Sequence, residues 1–165
     1  MIPDGGISLI AGIGGLFSGR AVRLAPATNP SLGAVIVHIL IIALAGALGG
    51  MARFLISGVV ARRIGERFPW GTLAVNVSGA LAIGVLAALL PVTDADGEET
   101  VRLWLALAVG VLGSYTTVSS FSLQTLALIR EKELRHAFLN IVGSVSLCLI
   151  AASAGYLSIR WIVGL

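Results

Sequence analysis

Gly113-Ser114-Tyr115-Thr116-Thr117-Val118-Ser119-Ser120-Phe121-Ser122 places small and hydroxylated residues inside a stretch otherwise apolar enough to cross a membrane. Backbone and hydroxyl groups at bilayer depth are expensive unless they line water, bind an ion or face protein. A plain apolar helix would be more stable there. The run therefore predicts a helix broken inside the membrane, and it marks where function is expected.

The flanking sequence gives this break its setting. The chain has 165 residues, 57% hydrophobic and 12% charged, with a mean hydropathy of +1.00. A soluble domain carries about twice that charged fraction. The apolar residues fall in blocks of roughly 20 or more, the length that crosses about 30 Å of hydrocarbon. An all-α integral membrane protein is expected, with four spans at about 34–60, 70–90, 101–128 and 137–162. The third contains the break. Residues 33–165 form one compact bundle with no room for a second domain. Residues 1–32 read as a flexible or surface-lying leader, because the apolar piece 7–17 is too short to span and is interrupted by Gly12, Gly14 and Gly15.

The net charge is +3, yet the basic residues form no stripe that would follow nucleic acid. They cluster beside apolar spans, where lipid headgroups are their neighbours. Cys148 is the only cysteine, so neither an intrachain disulfide nor a cluster of thiolate ligands is available. His38 and His136 lack metal-ligand spacing. Four spans put both termini on one side of the membrane. Six basic residues (Arg62, Arg63, Arg67, Arg130, Lys132, Arg135) then face four on the other side (Arg20, Arg23, Arg102, Arg160). So slight a bias predicts insertion in both orientations and antiparallel self-pairing.

Within the first span, Gly46 and Gly50 are four apart, a spacing that lets helix backbones approach. Arg53 either snorkels to the interface or stands at a pore mouth. Pro69 and Trp70 open the second span at headgroup level. Asn76 lies inside that span and fits interhelical glue and ion ligand equally well. The acidic stretch 94–99 reads as a solvated loop. In the fourth span, Asn140 and Ser144 share one helix face.

No Asp or Glu falls within the four expected spans, which argues against proton-coupled transport. No Ser/His/Asp set, carboxylate pair or metal cluster supports catalysis, so the chain is not expected to be an enzyme. Neutral donors, small residues, aromatic edges and one Arg suit a small anion. Carbonyls freed by an unwound segment can hold a cation. A small dual-topology drug exporter and a non-conducting membrane subunit are the other readings.

Three segments together resemble the Fluc/CrcB family of small fluoride channels. They are Gly46 to Phe54, with its Gly-rich helix ending in Arg and an aromatic; Phe68 to Gly79, reading FPWGTLAVNVSG; and Gly113 to Ser122. The resemblance covers roughly residues 34 to 163. It implies a passive channel that exports fluoride across the cell membrane, built as an antiparallel, dual-topology dimer with two pores. It assigns Asn76 and Phe121 to the fluoride pore and Arg53 to its vestibule. Thr117, Ser119, Ser120, Asn140 and Ser144 continue the polar track. The carbonyls of Gly113 and Thr116 would hold a structural Na+ at the dimer centre. Three positions depart from the pattern. Val118 replaces the first pore phenylalanine, Ser114 a glycine and Gln124 a glutamate. The missing ring at Val118 admits a heterodimer whose partner supplies it.

Overall fold

The computed structural model describes residues 31–65, 67–90 and 98–164. Helix α1 is Leu32–Ile64 and α2 is Trp70–Leu89. Helix α3 starts as Glu98–Trp104, widens into a π-helical stretch at Leu105–Leu112 and ends with a turn at Gly113–Tyr115. After a break at Thr116 and Thr117, α4 runs over Val118–Arg130, and α5 is Leu134–Val163. There is no strand among the described residues. Four segments are long and apolar enough to cross a membrane: Val35–Ile64, Trp70–Leu89, Glu99–Arg130 and Leu134–Val163. The expected leader lies outside the described residues apart from Ser31 and Leu32, and Leu32 already opens α1.

The helices overrun the expected spans for electrostatic reasons. Arg62 and Arg63 occupy the last turn of α1, where cations meet the negative end of the helix dipole. Gly65 then stops the helix at φ +109°, a backbone state that favours glycine. Glu98 and Glu99 belong to the first turn of α3 rather than to a loop, and the Glu99 carboxylate suits the positive end of a helix. The rest of the acidic stretch, up to residue 97, lies outside the described residues.

Close approach of backbones, more than large side chains, holds the bundle together. A Cβ on Gly84 of α2 would run into the Ala152 carbonyl of α5, and one on Gly155 of α5 would run into the Leu81 carbonyl of α2. Each helix thus uses a glycine to receive the other's backbone, which maximises dispersion contact where lipid supplies no hydrophobic drive. Helices α1 and α3 do the same. Gly49 receives the Val111 carbonyl, and Gly110 receives Ala45. The expected pair Gly46/Gly50 is therefore corrected to Gly46/Gly49: Gly46 meets Ser114 Oγ at 3.0 Å from its would-be Cβ, whereas Gly50 has open space. The π-helical widening over Leu105–Leu112 displaces the carbonyl ladder of α3, and Gly110 and Val111, which meet α1, lie within it.

Between α4 and α5 the turn is a Schellman motif. The Glu133 N–H donates to Leu128 O (2.8 Å) and the Lys132 N–H to Ile129 O (3.1 Å), with Lys132 in the left-handed position at φ 63°. The apolar side chains of all four spans largely face outward, as a lipid solvent requires.

Candidate functional site

The chain breaks where its sequence is most polar. Thr116 and Thr117 adopt extended backbone between α3 and α4. In a continuous helix the Thr117 N–H would donate to the carbonyl of Gly113. Here it donates instead to Asn76 Oδ1 at 2.8 Å, while Asn76 Nδ2 donates to Thr117 O at 2.9 Å. One side-chain amide on α2 thus satisfies both polar groups of the broken peptide, as a neighbouring strand would. Gly79, one turn further along α2, makes room: a Cβ there would strike the Thr116 methyl.

Thr117 also starts the next helix. Its Oγ1 accepts the Ser120 N–H at 3.1 Å and contacts Ser119 Oγ at 3.1 Å and Ser120 Oγ at 3.2 Å. This is an N-cap of the Ser/Thr type. The Ser120 N–H is the donor four residues beyond the carbonyl of Thr116. The two carbonyls expected to hold a cation, Gly113 and Thr116, are therefore those whose helical donors are diverted to side chains. No backbone donor among the described residues reaches either of them across the break. The Thr116 hydroxyl donates elsewhere, to Leu112 O at 3.0 Å.

Opposite electrostatic ends meet at this break. The N-terminus of α4 presents N–H groups and a positive dipole, suited to an anion. The C-terminus of α3 presents bare carbonyls, suited to a cation. A polar cavity of about 310 Å³ opens on the anion-favouring side. It is lined by Arg53, Ser57, Thr72, Thr117, Ser119 and Ser120. Arg53 makes no ion pair or hydrogen bond among the described residues, so its charge remains uncompensated. A second cavity of about 340 Å³ lies at the break and is lined by Asn76, Gly113, Thr116, Thr117, Val118 and Cys148, among others. Thr117 borders both.

Asn140 and Ser144 form a separate cluster on α5. Asn140 is 2% exposed; it donates to Thr125 Oγ1 at 2.9 Å and accepts from Ser144 Oγ at 3.4 Å. Thr125 in turn donates to Phe121 O at 2.7 Å. This chain of bonds ties α5 to α4 and reaches Phe121 through its backbone. The half-buried Phe121 ring borders neither cavity. The structure thus brings Asn76, Gly113, Thr116, Thr117, Ser119, Ser120 and Arg53 to one break with its two cavities. It sets Asn140, Ser144 and Phe121 on an adjoining seam.

Sequence reasoning missed Thr125, which sits four residues after Phe121 and so on the same helix face. It also missed the Ser78–Tyr115 pair, whose hydroxyls lie 2.8 Å apart with Ser78 donating to Ala74 O. Among the described residues no group of His, Cys, Asp or Glu could hold a metal. Any bound cation here must use neutral oxygens.

The profile of the family described as "CrcB-like protein, Camphor Resistance (CrcB)" matches residues 40–156. The chain is 54% identical over 127 residues to fluoride-specific ion channel FluC 2 of Rhodopseudomonas palustris (strain BisB18), covering 76% of this chain and 95% of that one. It is 50% identical over 123 residues to fluoride-specific ion channel FluC 2 of Bradyrhizobium diazoefficiens, covering 74% and 89%. With fluoride-specific ion channel FluC 3 of Brucella suis it shares 48% identity over 124 residues, covering 75% and 92%. Broken helix, small-residue packing and matched sequence agree: this multi-pass membrane protein belongs to the CrcB family.

Proposed function

We propose that the chain forms a passive fluoride channel that lets F⁻ leave the cell. The observation that carries this reading is the break itself, where an α4 N-terminus, five hydroxyl-bearing residues and the uncompensated Arg53 surround one polar cavity. Such donors replace the water around a small anion without a carboxylate to repel it. The relatives named as fluoride-specific channels supply the identity of the ion. No chemistry is required beyond conduction. Fluoride enters from acidic surroundings as neutral HF and dissociates inside, and a negative interior drives the anion out through a passive pore.

Two copies in antiparallel orientation are part of the proposal. Gly113, Ser119 and Ser122 are exposed at membrane depth, and uncovered polar groups there are costly in lipid. A second copy would cover them. The dimer then carries two pores, with Asn76, Phe121, Asn140 and Ser144 along each. The carbonyls of Gly113 and Thr116 fit a central Na+, because both lack the helical donors that would compete for their lone pairs. When bound, the ion supplies charge to lock the two breaks together.

Val118 supports a second reading, a heterodimer in which this chain conducts only with a similar partner. It is 77% exposed and borders the break cavity without a ring to offer. Fluoride efflux from liposomes holding this chain alone tests both readings. Rapid efflux that excludes chloride supports the channel as a self-sufficient dimer. Silence alone, with efflux restored by a similar chain, supports the heterodimer. Vesicles tight to F⁻ under both conditions overturn the channel.

A further inference from the structure

A further cavity lies away from the break. It measures about 540 Å³ and lies between the start of α2 and the first four turns of α5. One end is polar and aromatic. There Arg67 stands beside Phe68, Trp70 and His136. Phe68 stacks at a tilt on Trp70 (4.6 Å between centroids) and meets His136 edge-on at 6.2 Å. Trp at the end of a span sits at headgroup level, so this end lies at the membrane surface.

The other end is wholly aliphatic. Leu139, Gly143 and Leu147 run down one face of α5, opposite Leu73 of α2. Gly143 has nothing within 4 Å of where a Cβ would stand, so it forms the floor of an open groove and not a helix contact. From His136 to Leu147 the helix rises about 16 Å. The hydrocarbon of one leaflet is about 15 Å deep, half the usual core. The cavity therefore has the polarity gradient and the length of a single lipid leaflet.

Charge selects the lipid. Arg67 makes no ion pair among the described residues. His136 Nδ1 lies 3.1 Å from Glu133 Oε2, so that carboxylate is engaged by the ring. The two connections at this end, residues 62–67 and 130–136, hold Arg62, Arg63, Arg67, Arg130, Lys132 and Arg135 against Glu66, Glu131 and Glu133. The excess is positive.

We propose that this groove binds an anionic glycerophospholipid. Its phosphate pairs with Arg67, and one acyl chain lies along Leu139, Gly143 and Leu147. The inference stands on the membrane-spanning fold and is independent of which ion is conducted.

Native mass spectrometry of the purified full chain with equal POPG and POPC tests it. POPG should be retained about fivefold over POPC, the preference that one basic side chain confers near a membrane surface. Arg67→Ala should abolish that preference while lipid remains bound. Gly143→Phe, which fills the floor, should remove both lipids; Gly143→Leu repeats the test with a smaller side chain. Helix content by circular dichroism identifies a variant that failed to fold, in which case the other variant decides. Equal retention of POPG and POPC by the wild type would overturn the proposal. So would undiminished POPG on a folded groove-filling variant, or displacement of POPG by inorganic phosphate.

Discussion

The side-chain amide of Asn76 binds both the N–H and the C=O of Thr117, at 2.8 and 2.9 Å. A single residue on α2 therefore stabilises the unwound state of another helix. It also keeps the Thr117 N–H from returning to Gly113 O. Asn76→Asp retains an acceptor for that N–H but loses the donor to Thr117 O and adds charge. Each unsatisfied buried group costs about 1–3 kcal/mol. The thermal midpoint in detergent is expected to fall, and fluoride efflux with it, while membrane insertion persists. Unchanged stability in this variant would remove the clasp from the argument.

Thr117 has a separate role through its hydroxyl. Thr117→Val keeps the shape and the backbone pair with Asn76 but removes the N-cap. The expected cost is about 1 kcal/mol, and Thr117→Ser should recover most of it. Hydrogen exchange localises the effect: the Ser120 amide, which donates to Thr117 Oγ1 at 3.1 Å, should lose protection before amides in the middle of α5 do.

Much of this site was legible in the sequence because polar residues in an apolar span are rare enough to stand out. Asn76, Thr117 and a break within residues 113–122 stand out this way, and the structure narrows the break to Thr116 and Thr117. What the spacing could not show was which partner each residue chooses. Asn76 fitted glue and ligand equally, and the structure shows it bonded to a helix break 41 residues away. Gly46 and Gly50 match a packing motif, yet it is Gly49 that meets the backbone of Val111 in the π-helical stretch of α3. That stretch, Leu105–Leu112, is uniformly apolar and carries no local signal. Thr125 was equally silent, since a threonine in a membrane helix commonly bonds its own backbone.

Gly84 and Gly155 place α2 against α5, so adding a methyl at either should separate the helices that carry Asn76 and Asn140. Gly84→Ala is expected to destabilise by about 1–3 kcal/mol through overpacking. Gly33, near the start of α1, has nothing within 4 Å of its would-be Cβ. Gly33→Ala should therefore be neutral or slightly stabilising. Parallel thermal unfolding of the two variants checks the contrast; equal midpoints would mean that the close approach of α2 and α5 is not what holds the bundle.

Lys132 occupies a left-handed position that costs a non-glycine residue about 1–2 kcal/mol. Lys132→Gly removes that strain, partly offset by a more flexible unfolded chain. A net gain of about 0.5–1 kcal/mol is expected, read as a higher midpoint with fluoride efflux unaltered. A lower midpoint would show that the ammonium group, and not the turn geometry, fixes the α4–α5 connection.

Val118 is the position at which stability and conduction are expected to part. It is 77% exposed at the edge of the break cavity, so a larger side chain meets little resistance within the chain. Val118→Phe should leave the thermal midpoint within about 0.5 kcal/mol of the parent. Its ring edge carries partial positive charge and would face the anion path. An aromatic edge worth about 0.5–1.5 kcal/mol corresponds to roughly two- to tenfold in rate. Efflux from vesicles holding the chain alone should rise by that factor if the ring is what a partner normally supplies. If Val118→Phe leaves efflux unchanged or slows it, the valine is sufficient as it stands, and the heterodimer loses the one observation that favours it.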